Sequence, residues 1–189
     1  MKLTQQHLCF RNVNAHLQQA SAEELPFKDT AFDLVVASGV LHHTPNTLQA
    51  FRECLRVMKP EGRAKITLYR KAIFHTSATL FFLMKKIMRW LNIKHPGADI
   101  VDADQNVNDF IRQYDGTSNP LGIGKTIQDW RILLEKCGFN VLHHEIHFFP
   151  TRFLPFHRLI PKPIHRFCDR FLGTMVYFDL AKPSSLKCQ

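Results

Sequence analysis

The 189-residue chain contains none of the short motifs that by themselves fix a chemistry. Its five cysteines, Cys9, Cys54, Cys137, Cys168 and Cys188, are scattered, odd in number and never paired as CxxC. That argues against a disulfide framework or a structural zinc site, and a reducing, cytoplasmic setting is expected. No stretch reaches the ~18 to 20 apolar residues needed to span a bilayer, and Met1-Lys2-Leu3-Thr4-Gln5-Gln6 has no apolar signal core. The eight glycines form neither GxGxxG nor GxGxG ahead of a helix. NPLGIGKT, residues 119–126, resembles a phosphate-binding loop, but the first required glycine is Asn119 and no buried strand precedes it, so a hinge before a helix is expected. Acidic residues are also scarce: 16 Asp and Glu stand against 25 Lys and Arg, a formal net charge of +9 that favours anionic partners. With 45% hydrophobic and 22% charged residues, what remains is the composition of an ordinary globular domain.

What is present is concentrated between Ser21 and Arg70. SAEELPF, residues 21–27, reads as a loop stiffened by Pro26. Phe32-Asp33-Leu34-Val35-Val36-Ala37 is a short apolar, β-branched run that predicts a strand covered on both faces. Ser38-Gly39 follows, small enough for a ligand to approach the backbone. Leu48, Phe51, Leu55 and Met58 recur at helical spacing, so residues 47–58 predict an amphipathic helix. Lys59-Pro60-Glu61-Gly62 stops it, and a second buried strand is expected at 64–68. Strand, helix and strand form a right-handed βαβ unit. Ligands of such sheets sit at the carboxyl ends of the strands, which places a candidate rim at Ser38 to His43.

Ala22-Glu23-Glu24-Leu25-Pro26-Phe27, Phe32-Asp33-Leu34-Val35, Val40-Leu41-His42-His43 and Leu55-Arg56-Val57-Met58-Lys59-Pro60-Glu61-Gly62, in this order and spacing, resemble a class I S-adenosylmethionine-dependent methyltransferase. The nearest group includes the ubiquinone and menaquinone methyltransferases, and the resemblance covers roughly residues 17–70. It implies an α/β, Rossmann-like class I methyltransferase sheet, N-terminally truncated, with a helical insertion and an antiparallel C-terminal strand pair. It implies S-adenosyl-L-methionine as cofactor, with Ser21, Ala22 and Glu23 edging the adenine and Ser38, Gly39 and Val40 beside the sulfonium arm. Many members carry Asp where this chain has Ser21, and a neutral hydroxyl accepts a hydrogen bond at roughly half the strength of a charge-assisted one. The family fold opens with a strand, a glycine-rich loop and a helix, so the chain is expected to lack the first ~70 residues of that fold, on βαβ arithmetic. His42 and His43 are candidate general bases, with ordinary pKa values near neutrality, or else residues that open a helix structurally. Tyr69 and Arg70, at the end of the second strand, are candidates to orient an anionic acceptor.

The flanking segments are read from periodicity. Residues 3–17 predict a helix and 16–20 a short strand. Residues 72–91 place Ile73, Leu80, Phe81, Met84, Ile87, Met88 and Leu91 on one broad helical face with Lys85, Lys86 and Arg89 near its end. That helix is either packed on the core or a lid, ended by His95-Pro96-Gly97. Asp99, Asp102, Asp104 and Asp109 lack the glycine and closing Glu of a calcium loop, so a solvated helix start is expected, with Val107, Phe110, Ile111 and Tyr114 on one face and a turn at 114–116. Residues 126–137 predict a helix capped by Thr126 and Asp129 and stopped by Gly138. Strands are expected at 139–149 and 174–180. His143 and His147 would share a strand face while His144 points away, so zinc is not expected. Residues 150–173 interleave Arg152, Arg158, Lys162, Arg166 and Arg170 with Phe153, Phe156, Phe167 and Phe171. This is either a basic, aromatic surface for an anionic ligand or a packed loop whose cations snorkel to water. With no RRM, KH or zinc signature, nucleic acid is set aside.

The expected activity is S-adenosylmethionine-dependent methyl transfer to a small-molecule or lipid-like acceptor. The alternative is a non-catalytic binding or membrane-surface module acting through the basic C-terminal segment, in peripheral contact with an anionic membrane. Three parts are expected: a partial core at 1–71, a helical insertion at 72–125, and the last helix and strands at 126–189. An exposed sheet edge would favour a homo-oligomer.

Overall fold

The computed structural model describes residues 2–72, 75–91, 106–112, 121–149 and 159–184. The sequence readings at His95 to Gly97, Asp99, Asp102, Asp104, Tyr114 to Gly116, Asn119, Arg152, Phe153, Phe156 and Arg158 lie outside these residues.

Helix α1 (Lys2–Phe10) is shorter than expected and buries none of its residues. Leu8, Val13 and Leu17 do not form one stripe, so a longer helix would have no face to bury, and Asn12 leaves helical geometry with φ +52°. The strand expected at 16–20 does not form. The nearest pairing is an isolated bridge between Ser21 and Glu24.

The βαβ unit forms as expected, from β1 (Phe32–Ser38), α2 (Thr47–Val57) and β2 (Met58–Tyr69). The α2 carbonyls of Arg56 and Val57 accept from Thr30 and Ala31, which turns the chain leading into β1 against the helix end. Lys59 to Gly62 are not a separate turn but a bulge at the start of β2: Phe32 pairs with Met58, and Leu34 already pairs with Arg63. Gly62 is required there, because a Cβ would lie 2.8 Å from the Lys59 carbonyl oxygen.

Two more strands, β3 (Asn140–His147) and β4 (Met175–Ala181), complete a sheet of order β1-β2-β4-β3. β1 and β2 are parallel, whereas β4 runs antiparallel to both β2 and β3. One face is covered by α2 and by the helix Ile127–Cys137, which becomes α5 once α3 (Ala78–Trp90) and α4 (Val107–Arg112) are counted. Thr126 caps α5 by accepting from Asp129 N–H, and Gly138 ends it at φ +104°. Phe51, Cys54, Trp130 and Leu134 pack there on Ala64, Ile66, Leu68, Val176, Phe178 and Leu180. Each large apolar side chain so buried contributes about 1.5–3 kcal/mol.

The opposite face corrects the expectation for β1. Leu34 is 51% and Val36 62% exposed, so β1 is covered on one side only among the described residues. An apolar run does not say which neighbours are there to cover it. Phe81 and Phe110 form a separate small cluster between α3 and α4, with Met84, Met88 and Val107. The last helix, α6 (Lys162–Leu172), follows Pro161 and packs beside β3. No described helix is long and apolar enough to cross a membrane.

Candidate active site

Two of the expected cofactor segments meet through α2. Ser38 ends β1, Gly39 takes a left-handed φ of +68°, and Val40 leads into a single helical turn at Leu41–His43 that packs on α2. Among the described residues the space beside Gly39 is open, since a Cβ there would meet only the Met175 methyl at 3.9 Å. On the other flank, Ser21 Oγ accepts from Glu23 N–H at 3.2 Å. The Glu23 carboxylate accepts from Asn46 N–H at 2.7 Å, and the Glu23 carbonyl accepts from the Gln49 amide. Glu23 therefore fastens the Ser21 loop to the start of α2, where Asn46 caps the helix by accepting from Gln49 N–H.

The rest of that loop is fastened by one arginine. Arg56 donates to both oxygens of Glu53, to Asp29 and to the carbonyls of Leu25 and Phe27, while Leu25 N–H donates to Glu53. The guanidinium holds the Glu53 carboxyl below its ordinary range.

The two histidines have different surroundings. His42 is fully buried, its ring 4.0 Å from the Tyr69 ring and 4.1 Å from the His43 ring. Burial, and next the neighbouring His43, push its pKa down to about 3, so it is neutral near pH 7. His43 is half-buried, with Nδ1 2.6 Å from the Leu121 carbonyl. A carbonyl only accepts, so in the neutral ring the proton sits on Nδ1 and the lone pair on Nε2, an atom enclosed by its surroundings.

Tyr69 and Arg70 diverge. The buried Tyr69 ring lies 5.4 Å from His43, centroid to centroid, whereas the Arg70 guanidinium donates to the carbonyls of Gly173 at 2.7 Å and Phe171 at 3.3 Å, at the end of α6. Partial burial lowers the pKa of Arg70.

Sequence reasoning missed a strap across this rim. Residues 121–125 run beside the end of β2: Ile123 N–H donates to the His42 carbonyl, Lys71 N–H to Lys125, and Lys125 bridges Arg70 in parallel. Trp130 Nε1 donates to the Tyr69 carbonyl at 2.7 Å and so anchors α5 to the same place. The available signal was the pair Gly122 and Gly124. A Cβ on Gly122 would lie 2.8 Å from Arg112 Cα, and one on Gly124 would lie 2.6 Å from Ile111 Cδ1. The glycine-rich segment is thus a close contact with α4.

His143, Glu145 and His147 share the exposed sheet face, with Glu145 bridging the two rings at 3.3 and 2.9 Å, while His144 pairs with Phe178 on the other side. No group of three or more candidate metal ligands occurs among the described residues.

Comparison with known proteins fits this geometry. Residues 1–66 match the model of a methyltransferase domain. Within it, 61 residues are 41% identical to the ubiquinone/menaquinone biosynthesis C-methyltransferase UbiE of Vibrio vulnificus, over 32% of this chain and 24% of that protein. The likeness in sequence is thus to methyltransferases, over the N-terminal segment of the chain. The aligned part spans about a quarter of the UbiE relative. Solved structures extend the likeness in fold to nearly the whole chain. The YcgJ protein of Bacillus subtilis matches with a TM-score of 0.54 and 14% identity, over 96% of this chain and 77% of that one. The [4+2]-cyclase SpnF matches with a TM-score of 0.58 and 16% identity, over 97% and 62%. Identity this low speaks for the fold alone, and the SpnF name is a reminder that one fold hosts different chemistries.

Proposed function

We propose that this chain transfers a methyl group from S-adenosylmethionine to a small, quinone-like or lipid-like acceptor. The observation that carries the reading is the joining of the Ser21–Glu24 loop and the Ser38–Val40 corner at one end of α2, inside the segment that matches the methyltransferase domain. The residues suit the cofactor: among the described residues Gly39 leaves open space beside a left-handed corner, and the Ser21 hydroxyl retains a proton to donate or share. S-adenosylmethionine would supply an activated methyl on a sulfonium, and the remaining work falls to the protein. Ser21, Ala22 and Glu23 edge the adenine; Ser38, Gly39 and Val40 line the reactive arm.

Of the two candidate bases, His43 takes the role. His42 is enclosed and neutral, and it packs Tyr69 and His43 in place. For a carbon acceptor, S-adenosylmethionine would supply the methyl and a base would take the displaced ring proton; His43 is the half-buried candidate at this rim, and its enclosed Nε2 would have to be uncovered for that step. Tyr69 shapes the floor and Arg70 holds the end of α6. The strap at 121–125 borders the His42–His43 turn and the end of β2, on the side proposed for the acceptor. The UbiE name of the relatives favours a quinone precursor as the first acceptor to try.

The test is transfer of labelled methyl from S-adenosylmethionine to a demethylated quinol. The wild-type chain gives product, and His43→Gln lowers kcat by about 100-fold or more, within the range for loss of a general base. Product from the His43 variant at the wild-type rate would remove His43 from the reaction.

A further inference from the structure

Helix α6 divides into three stripes. His165, Cys168, Asp169 and Leu172 are half-buried against the body, and Asp169 accepts from Phe149 N–H. Ile164, Phe167 and Phe171 form an outward apolar stripe, 53%, 61% and 52% exposed, with the two phenylalanine rings 4.6 Å apart. Lys162, Arg166 and Arg170 form an exposed basic stripe alongside. The helix carries one acid, Asp169, and it is on the inward stripe.

We propose that α6 is an interfacial anchor that lays its Ile164–Phe167–Phe171 stripe into an anionic lipid bilayer while Lys162, Arg166 and Arg170 pair with the headgroups. An exposed apolar stripe bordered by basic residues is the pattern of helices that lie in the plane of the membrane interface. Aromatic rings suit the depth of the headgroup boundary, and the long arginine stems bury while their charged ends stay wet. The occupant is selected by charge: both outward stripes lack acid, and the chain's net charge of +9 draws it toward an anionic surface. The helix is already fixed to the body by Asp169 and by Arg70, which binds the Phe171 and Gly173 carbonyls, so little conformational order is lost on docking. The anchor stands independently of the methyl-transfer reading, since it uses residues outside the Ser21–His43 rim.

The experiment is co-sedimentation of the full chain with vesicles of phosphatidylcholine alone or phosphatidylcholine mixed with phosphatidylserine. The wild type sediments with the anionic vesicles, and added salt weakens the binding. Phe167→Ser/Phe171→Ser and Arg166→Glu/Arg170→Glu each weaken it by about tenfold or more. Lys28→Glu/Arg52→Glu, a charge-matched change elsewhere, stays within about threefold of wild type. Circular dichroism of each variant shows that it is folded. For Phe167→Trp, anionic vesicles should blue-shift the emission of the new indole. No binding by the wild type to anionic vesicles, equal binding by the α6 variants, or an equal loss in the charge-matched control would overturn the proposal.

Discussion

His42 is where burial has the clearest consequence for stability. Its folded pKa is about 3 against an ordinary 6.5, so below 6.5 the unfolded chain binds a proton that the folded chain refuses. Its contribution is fully present above pH 6.5 and is lost as the pH falls toward 3. Thermal unfolding between pH 6.5 and 5 should therefore show stability falling by about 1.4 kcal/mol per pH unit at most. His42→Phe, which keeps a ring in the pocket, should flatten that slope. Glu53 adds a loss of the same sign, because Arg56 holds its carboxyl low, but only at pH values below its ordinary 4.5. An unchanged slope in the His42 variant would show that the ring is not held neutral. Little of this could be read from sequence: adjacent histidines look equivalent on paper, and only the placement of Tyr69 and Leu121 separates them. The corner at Gly39 was legible, because a small pair follows the strand, and its φ of +68° agrees.

At the scale of elements, Arg56 ties the loop that carries Ser21 to α2. Arg56→Ala should cost about 2 kcal/mol, less than its number of bonds suggests because the side chain is partly solvated. It should also weaken cofactor binding, whereas Arg56→Lys recovers part of the stability and not the bidentate grip. Urea unfolding of the two variants checks the order. The helix at 47–57, the capped helix at 127–137 and the closing antiparallel pair were legible because each has a period, a cap or a stop in its own residues. The Lys59–Gly62 bulge was not, since its signals are also those of a turn. Neither was the strap at 121–125, which is defined by contacts to α4, β2 and the His42–His43 turn rather than by a pattern of its own.

For the whole molecule, the sheet is unequal in its two faces. One is closed by α2 and α5, while the other exposes Leu34 and Val36 on β1, which has β2 as its one partner among the described residues. An edge of this kind invites pairing with another chain. Sedimentation should show concentration-dependent self-association of the 189-residue chain, reduced by Val36→Lys, and a monomer at all concentrations would show the face to be harmless. The α/β class and strand directions were legible, but coverage was not, because it depends on what packs from elsewhere in space. The central claim is that the rim around Ser21 and Ser38–Val40 holds S-adenosylmethionine. Calorimetric titration of the purified chain tests it most directly. Saturable one-to-one binding at about micromolar strength is predicted, falling at least about tenfold in Gly39→Val, which strains a left-handed position and fills the open corner. A folded chain that takes up no heat from S-adenosylmethionine, or a Gly39 variant that binds as tightly as wild type, would contradict it.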